Sequence, residues 1–171
     1  MLGSFWLLPS ALAAAAYQEQ INLCAREVDR PSFAAHVTLV VQAHALSTAA
    51  LSRIVNEFLP LRLHAGEFVE SDVYFRSLIR RMRLSPQLAD LRRALHAAAR
   101  PGPVAHLYAA EEYDPHISLL YGPAAPLQKN AMLARAAAAL TDGEPEFDAI
   151  AFVETSAEVG NWSFIQHCNI E

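Results

Sequence analysis

The chain has 171 residues, enough for one domain of ordinary size or two small lobes that share a core, and its 53% apolar content predicts a folded globular protein. Charged residues make up 18% and the net charge is −5, so the chain lacks the overall basic excess that long nucleic-acid duplexes attract. The two cysteines, Cys24 and Cys168, are too few and too far apart for a disulfide framework or a zinc knuckle, and we expect reduced, buried thiols.

The first sixteen residues imitate a secretory signal, because an apolar run is followed by alanines. No Lys or Arg precedes the run, however, and Pro9 interrupts it. The alanines also continue into a helical pattern that ends near Asp29. The sequence contains no run of eighteen apolar residues that is free of polar residues. We therefore expect a cytoplasmic protein that does not enter a membrane and has no obligate protein partner.

Hydrophobic spacing and breaker residues predict the elements of the first part of the chain. In chain order they are a strand over 3–8, a helix from residue 10 to about 29, a strand over 36–42, a helix that begins at Ser47-Thr48 and is stopped by Pro60, and a strand over 61–69. Residues 73–82 fit a strand or a helix, and a strand is preferred.

The second part of the chain begins with a predicted helix from Ser85-Pro86 to about Arg100. The breaker cluster Pro101-Gly102-Pro103 is the best candidate for a crossover between halves. There follow a strand over 116–121, a helix over 126–140, a turn at 142–143, and strands over 147–155 and 162–169 that pair as a hairpin around Gly160-Asn161.

The predicted order of elements repeats along the chain. The first half has a strand with His-x-Thr, then a helix and a strand, and the second half has a strand with His-x-Ser, then a helix and a strand. The two histidines, His36 and His116, lie 80 positions apart. Since side chains at i and i+2 of a strand share a face, His36 stands beside Thr38 and His116 beside Ser118. Packing of the halves about a pseudo-two-fold axis would bring two imidazoles and two hydroxyls together in a pocket of phosphate size.

Two imidazoles and two hydroxyls suit the hydrolysis of a phosphodiester. The reaction needs a base for the attacking water, an acid for the leaving alkoxide, and donors to the phosphoryl oxygens. Near neutral pH one histidine serves as base and the other as acid, which predicts a bell-shaped pH profile. A strained cyclic ester suits this apparatus because ring opening relieves strain. The near symmetry of the motifs leaves open which histidine is the base.

Other residues have a structural interpretation that we prefer. For the two motif histidines, the structural alternative is that each caps or bridges a strand edge in an ordinary α+β domain, but two matching motifs make that alternative the weaker one. The other histidines are assigned structural or surface roles: His44, His64, His96, His106 and His167. Arg76, Arg80, Arg81 and Arg83 either grip a second phosphate of a nucleotide or form a solvated surface strip, and the strip is preferred. Asp114 either orients an imidazole or binds a metal, although Asp-Pro more often shapes a turn.

The sequence resembles the two-histidine phosphoesterase superfamily, and especially its cyclic phosphodiesterase branch from plants and yeast. The marks are His36-Val37-Thr38-Leu39, the run from His116 through Ile117-Ser118-Leu119-Leu120-Tyr121 to Gly122, and the opening Phe5-Trp6-Leu7-Leu8-Pro9. The resemblance implies an α+β fold in a single bilobal domain, 1–171. Its two pseudo-symmetric lobes, approximately 31–100 and 101–160, consist of antiparallel strands with helices outside and a central cleft, and the terminal strands complete the sheets.

The resemblance also implies roles for individual residues. His36 and His116 are the acid/base pair, and Thr38 and Ser118 contact the phosphate. Tyr121 and Trp6 line the substrate-binding cleft. Trp162 is left outside the site. The implied substrates are ADP-ribose 1'',2''-cyclic phosphate and nucleoside 2',3'-cyclic phosphates. Neither a metal nor a cofactor is expected, because no nearby carboxylates or cysteines complete a ligand set around the histidines.

Two other functions stay open at this point. Some members of the superfamily act on RNA ends, so a 2'-5' RNA ligase-like or RNA-end phosphodiesterase is an alternative, which needs a basic groove beyond the pocket. The acidic balance of the chain argues weakly against it. The other alternative is a module that binds nucleotide phosphates without turnover, and the presence of both histidines and both hydroxyl residues argues against that.

Overall fold

A computed structural model describes residues 2–99, 113–155 and 158–170. The strands in this part of the chain are β1 (Gly3–Pro9), β2 (Val37–Ala43), β3 (Leu61–Arg62), β4 (Ala65–Glu70), β5 (Leu78–Met82), β6 (His116–Leu120), β7 (Glu146–Glu154) and β8 (Ser163–Asn169). The helices are α1 (Ala11–Glu27), α2 (Thr48–Phe58), α3 (Pro86–Ala99) and α4 (Pro126–Ala139). None of these helices combines the length and the apolar character that crossing a membrane requires.

The strands form one antiparallel sheet in the order β3-β7-β1-β2-β6-β5-β4, and β8 pairs with β7 outside this path. The expected α+β class with antiparallel strands is therefore confirmed. Helices α1 and α4 pack together over β6 and β4, while α2 and α3 pack over β8 and β2. Where β2 meets β6, the register joins Val37 to Ile117, and this is the one such pair in the described residues. The sheet accordingly consists of two halves that meet at one point.

The strand pairing groups the chain differently from approximate lobes at 31–100 and 101–160. Strands β4 and β5 lie in the first range but join β6 of the second. Strand β7 of the second range joins β1 and β3. The strands that belong to each half of the sheet are thus determined by long-range hydrogen bonds between strands and not by position along the chain. The proposed crossover at Pro101-Gly102-Pro103 lies outside the described residues.

Two predicted strands are divided in the structure. The strand predicted over 61–69 becomes β3, which pairs with β7, and β4, which pairs with β5, so the chain changes partners between them. In the strand predicted over 73–82, only β5 is extended, because Tyr74–Arg76 forms a 3-10 turn. The backbone N–H of Arg76 donates to the Val73 carbonyl at 2.9 Å and closes that turn.

The other described elements agree with the sequence patterns to within one or two residues. The hydroxyl of Ser47 accepts a hydrogen bond from the Ala50 N–H at 3.3 Å, which is the predicted N-cap of α2. The hairpin of β7 and β8 encloses the 3-10 turn Val159–Asn161, where a hairpin connection was expected. Both cysteines are free, as expected, but only Cys24 is buried and Cys168 is half-buried.

The main core lies between the helices and one face of the sheet, and its largest fully buried side chains include Phe5, Phe147 and Phe152. A second, small apolar cluster forms around Trp6, Ala151 and Val153, and the half-buried Trp162 packs against both this cluster and the main core. The residues of β1 therefore contribute to two clusters, because successive side chains of a strand point to opposite faces. The small cluster lies beside the candidate site.

Candidate active site

Strand register brings the two histidine motifs together. Val37 pairs with Ile117, so extending the antiparallel register by one residue places His36 opposite Ser118 and Thr38 opposite His116. Side chains at these four positions share one face of the sheet, because Val37 and Ile117 between them point to the other face. Residues directly opposite one another in such a pair have Cβ atoms about 5 Å apart. The motifs thus form one group of neighbours at the junction of the two halves.

The same face continues into the neighbouring strands. Trp6 of β1 is paired with Thr38, and Arg81 of β5 is paired with His116. One cross-strand row therefore runs from Trp6 through Thr38 and His116 to Arg81. The row spans four strands, so one side chain of each of four strands is held on a common, rigid surface.

Both histidine rings are oriented in the same way. Nδ1 of His36 lies 2.7 Å from the Ala34 carbonyl oxygen, and Nδ1 of His116 lies 2.7 Å from the Asp114 carbonyl oxygen. A carbonyl oxygen only accepts, so each Nδ1 carries the hydrogen and donates it. Each neutral ring consequently has its lone pair on Nε2. A bond from the backbone two residues earlier fixes the same tautomer at both motifs.

A cavity of about 560 Å³ opens over this face. All six residues proposed from the sequence line it: His36, His116, Thr38, Ser118, Tyr121 and Trp6. Further residues also line it that the motifs did not indicate, namely Phe75, Arg76, Arg92, His96, Tyr113 and Trp162. The proposed side chains are thus brought to one cavity by elements that are far apart in the chain.

Burial lowers the pKa of both imidazoles. The pKa of His36 is lowered to about 4, chiefly because burial penalises the charged ring, and the charge of His116 lowers it further. The bond to the Ala34 carbonyl opposes this shift. The pKa of His116 is also lowered, again chiefly by burial, while its bond to the Asp114 carbonyl raises it. The neutral form of His36 is therefore the stable form at neutral pH.

The charged residues beside His116 form an ion-pair network around Asp114. The Asp114 carboxylate accepts hydrogen bonds from the Arg76 guanidinium and, at 3.2 Å, from Nε of Arg81. Nη1 of Arg81 also donates to the Glu67 carboxylate. The charges of Arg76 and Arg81 lower the pKa of His116, and the charge of Asp114 raises it. The Asp114 backbone carbonyl, and not its carboxylate, accepts the hydrogen bond from the His116 ring.

Arg80 does not belong to the solvated surface strip that was preferred, whereas Arg83 is exposed. Arg80 is only 3% exposed; its guanidinium lies over the Phe68 ring, 4.2 Å from the centroid, and donates to Asp142 at 2.5 Å. Arg76 lines the cavity. Alternation along β5 decides this difference, because Arg80 and Arg81 point to opposite faces of the sheet. Sequence alone did not show which arginine would face the helices.

The two hydroxyl residues differ in their surroundings. Ser118 is buried and its hydroxyl donates to the Phe75 carbonyl at 2.9 Å. Thr38 is half-buried, and its carbonyl accepts from the Tyr113 hydroxyl at 2.8 Å. Tyr121 is buried close to Ser118, and burial raises the pKa of Tyr121. Tyr121 thus stays protonated and serves as a neutral hydrogen-bonding group.

Aromatic rings connect the two sides of the cavity. Phe75 meets Tyr121 edge-on with centroids 5.3 Å apart, Tyr121 meets Trp162 at 5.9 Å, and Trp162 meets Trp6 at 5.4 Å. Trp162 was left outside the site in the sequence-based prediction, but in the structure the turn that precedes β8 brings its ring to the cavity wall. No motif in the sequence marks Trp162 or Phe75, since their proximity depends on tertiary packing.

Helix α3 contributes Arg92 and His96 to the cavity wall. Nε of Arg92 donates to the Leu39 carbonyl at 3.1 Å, and the guanidinium lies 4.4 Å from the centroid of the Tyr113 ring. His96 was assigned to a polar helix face, and its half-buried position at the cavity differs from that. His106 lies outside the described residues. Within the described residues, no group of three or more His, Cys, Asp and Glu side chains is placed to hold a metal ion.

Comparison with solved structures identifies the same fold. Escherichia coli LigT in complex with 3'-AMP is 18% identical, covers 99% of this chain and 99% of its own, and superposes with a TM-score of 0.54. The complex of the same protein with NADP+ is 16% identical over 99% of this chain and 97% of its own, with a TM-score of 0.51. A search of curated proteins finds no match.

The family comparison covers almost the whole chain. The model of the family described as cyclic phosphodiesterase-like protein matches residues 1–170. The matched region includes both histidine motifs, the strands that carry them and the described residues of the cavity wall. The chain therefore belongs to the cyclic phosphodiesterase-like protein family.

Proposed function

We propose that this protein hydrolyses cyclic phosphodiesters without a metal ion, with His36 and His116 as the acid/base pair. The proposed substrates are ADP-ribose 1'',2''-cyclic phosphate and nucleoside 2',3'-cyclic phosphates. One observation carries the proposal: at the Val37–Ile117 pair, two imidazoles with the same tautomer lie beside two hydroxyl residues on one sheet face. Phosphoesterase chemistry is common to the family, and the choice of cyclic esters is part of our proposal.

His36 is assigned as the base and His116 as the acid. The buried ring of His36 is neutral at neutral pH, so its Nε2 has a lone pair available for a proton of the attacking water. Burial lowers the pKa of His116 as well, but its ring is less buried than that of His36, and the Asp114 carbonyl and carboxylate oppose the shift. His116 is therefore assigned as the ring that carries the proton. The register places the two rings on neighbouring strands, which suits proton transfers on opposite sides of one phosphate.

The proposed reaction is a single in-line displacement. Water attacks phosphorus as Nε2 of His36 accepts one of its protons, and a new P–O bond forms. The ring P–O bond on the opposite side breaks, and the departing ribose oxygen takes the proton from Nε2 of His116. The product is a ring-opened phosphate monoester. The histidines then hold reversed protonation states, and exchange with solvent restores the starting ones.

Thr38 and Ser118 are proposed to contact the phosphoryl oxygens, since each lies opposite one histidine. The Ser118 hydroxyl has one hydrogen, which it donates to the Phe75 carbonyl. Donation to a phosphate therefore requires the hydroxyl to rotate away from that carbonyl. The Tyr121 hydroxyl lies close to Ser118 and is proposed as a neighbouring donor.

Nucleotides are supported as the substrate class by two observations. The cavity has aromatic walls beside the phosphate-binding residues, and LigT, which shares the fold, has been solved with 3'-AMP and with NADP+. The cavity volume of about 560 Å³ falls in the range typical of small-molecule sites. We accordingly propose a small nucleotide with a cyclic phosphate as the ligand.

The proposal is tested by steady-state hydrolysis of adenosine 2',3'-cyclic phosphate and of ADP-ribose 1'',2''-cyclic phosphate in the presence of EDTA. His36→Asn and His116→Asn should each lower kcat by about a hundredfold or more, because each removes one proton-transfer group. His167→Asn on β8 is the matched control and should leave kcat unchanged, since His167 does not line the cavity in the described structure.

Three results would contradict the proposal. Normal turnover by either active-site variant would remove the acid/base assignment. Loss of activity in EDTA with recovery on addition of a divalent ion would refute a mechanism without metal. Tight binding of both cyclic esters by the wild-type protein with no product formed would indicate a binding module instead. Circular dichroism of each variant checks its fold, because His36 is only 5% exposed.

A further inference from the structure

We propose that Phe75 is a platform on which the nucleobase of the substrate stacks, so that the cavity favours cyclic phosphates that carry a base. This inference rests on the proposed function and names the part of the substrate that lies beyond the phosphate. It assigns a recognition role to a residue on the 3-10 turn Tyr74–Arg76, which carries neither histidine motif.

The first observation is the exposure of Phe75. Its side chain is 53% exposed, and its neighbours Val73 and Tyr74 are 57% and 45% exposed. Exposure of three consecutive apolar or aromatic side chains to water is unfavourable, because burial of apolar surface stabilises a protein in proportion to the area removed from water. A binding partner that covers this surface would recover part of that stabilisation. A run of this kind beside a cavity is typical of a ligand-binding rim.

The second observation is the position of Phe75 relative to the phosphate-binding residues. Phe75 lines the same cavity as His116, and its backbone carbonyl is the acceptor for the Ser118 hydroxyl at 2.9 Å. The backbone of the platform is therefore in direct contact with a residue proposed to bind the phosphate. A nucleoside cyclic phosphate has its base and its phosphate on the same sugar, so both must bind within one small volume.

The third observation is the rigidity of the turn. The Gly122 N–H donates to the Tyr74 carbonyl at 2.7 Å, and the Ser71 hydroxyl donates to the Arg76 carbonyl at 2.8 Å. The Arg76 side chain is ion-paired with Asp114, whose carbonyl orients His116. An exposed aromatic side chain is thus held on a backbone that is tied at several points to the catalytic strand. Such preorganisation reduces the entropy lost on binding.

Gly122 allows this turn to approach β6. Its φ of +81° lies in the region that favours glycine, and a Cβ at this position would lie 3.1 Å from Cε2 of Tyr74 and would clash with the Arg30 guanidinium. A larger residue would strain the backbone here and press on the Tyr74 ring of the turn. The glycine that follows the second histidine motif therefore helps to place the Phe75 platform.

The ring contacts of Phe75 are suited to receiving a base. Its described contacts, to Tyr74 at 78° and to Tyr121 at 84°, are both edge-to-face, and neither is a parallel stack. By contrast, Trp6 and Tyr121 already stack in parallel on His36 and Phe33. Stacking on an aromatic side chain accepts every base, because every base has a π-face. The platform would thus provide affinity for nucleotides without strict selection among bases.

The experiment compares a substrate with a base and one without. Wild-type protein and Phe75→Leu are assayed with adenosine 2',3'-cyclic phosphate and with 1-O-methylribose 2,3-cyclic phosphate. Leucine retains apolar bulk but has no ring. We expect Phe75→Leu to raise KM for the adenosine substrate by about 5- to 150-fold with little change in kcat. The kcat/KM for the substrate without a base should be unchanged, and Phe75→Trp should restore the low KM.

Leu127→Ala is the control for loss of exposed apolar surface. Leu127 is 83% exposed, lies on α4, and is not among the residues that line the cavity. Its replacement should leave both substrates unaffected. Equal losses by Phe75→Leu on both substrates would overturn the inference, since they would show that the turn only supports Ser118. Unchanged kcat/KM of Phe75→Leu on both substrates would also overturn it. If only Trp162→Leu lost activity on the substrate with a base, the stacking residue would be Trp162 and not Phe75, and the inference would be overturned.

A second measurement separates this inference from the proposed function. If the wild-type protein hydrolyses neither cyclic ester, the proposed function fails, and calorimetry then measures the Kd of adenosine 3'-monophosphate and of 1-O-methylribose 3-phosphate. The inference holds if Phe75→Leu weakens only the ligand that carries a base. Equal affinities of wild type and Phe75→Leu for the adenosine ligand would overturn it.

Discussion

The imidazole of His36 lies parallel to the indole of Trp6, with ring centroids 3.7 Å apart and an angle of 9° between the planes. His36 is therefore packed as well as placed at the cavity. Because the ring is buried and stacked, replacement of His36 should affect the fold as well as the site. The same packing removes water from the ring and so keeps it neutral. One contact thus contributes to both stability and the proposed base function.

The stability of the protein should depend on the titration of His36. Its pKa in the folded state is about 4, against 6.5 for an unperturbed histidine, so the unfolded chain binds the proton more readily. Stabilisation by the neutral ring is complete above pH 6.5 and falls as the pH drops towards 4. The total loss is about 3 kcal/mol, at about 1.4 kcal/mol per pH unit. Urea unfolding of wild type and His36→Asn between pH 7 and pH 4 measures the difference.

His36→Asn should show a flatter dependence of unfolding free energy on pH than wild type, whereas His167→Asn on the exposed strand β8 should match wild type. Parallel curves for wild type and His36→Asn would show that the His36 pKa is not depressed.

The pH dependence of kcat/KM should be bell-shaped with its maximum below pH 6.5. His36 must be neutral, which requires a pH above about 4, and His116 must be protonated, which requires a pH below its own pKa. Burial lowers the pKa of His116 below 6.5 as well. Initial rates at low substrate concentration from pH 3.5 to 9 give the profile. A maximum at or above pH 7.5 would contradict the environments of the two rings.

Asp114→Asn should move the alkaline limb of that profile to lower pH. The carboxylate raises the pKa of His116, while Arg76 and Arg81 lower it, so removal of the negative charge leaves two positive charges unopposed. The backbone carbonyl that orients the ring is retained. Glu67→Gln is the matched control, because Glu67 also pairs with Arg81 and does not perturb His116. An unchanged or higher alkaline pKa in Asp114→Asn would count against this role.

Ser118→Ala and Thr38→Ala should both lower kcat by about 10- to 1,000-fold, as expected for loss of one donor to a phosphoryl oxygen. Only Ser118→Ala should also reduce stability, by about 1 kcal/mol, because the buried hydroxyl donates to the Phe75 carbonyl. Thermal unfolding measured beside kcat separates the two effects. Full activity in both variants would remove the hydroxyls from the proposed mechanism.

Local features of the sequence predicted most of the elements and the residues proposed for the site. The alternation of β2 and β6 puts Thr38 on the face of His36 and Ser118 on the face of His116, and an alternation of two residues needs no tertiary information. The cap at Ser47 marks the start of α2 for the same reason, since a cap bonds to its own helix. The family relationship could also be inferred, because both histidine motifs are continuous segments.

Tertiary structure alone decided which strands are neighbours and which side chains meet. The division of 61–69 into β3 and β4, the burial of Arg80 and the approach of Trp162 and Phe75 to the cavity all depend on partners from distant parts of the chain. The sequence by itself determined the period of each element and the chemistry that each element carries. The fold determined how these combine, because pairing and packing energies come from long-range contacts that no local pattern encodes.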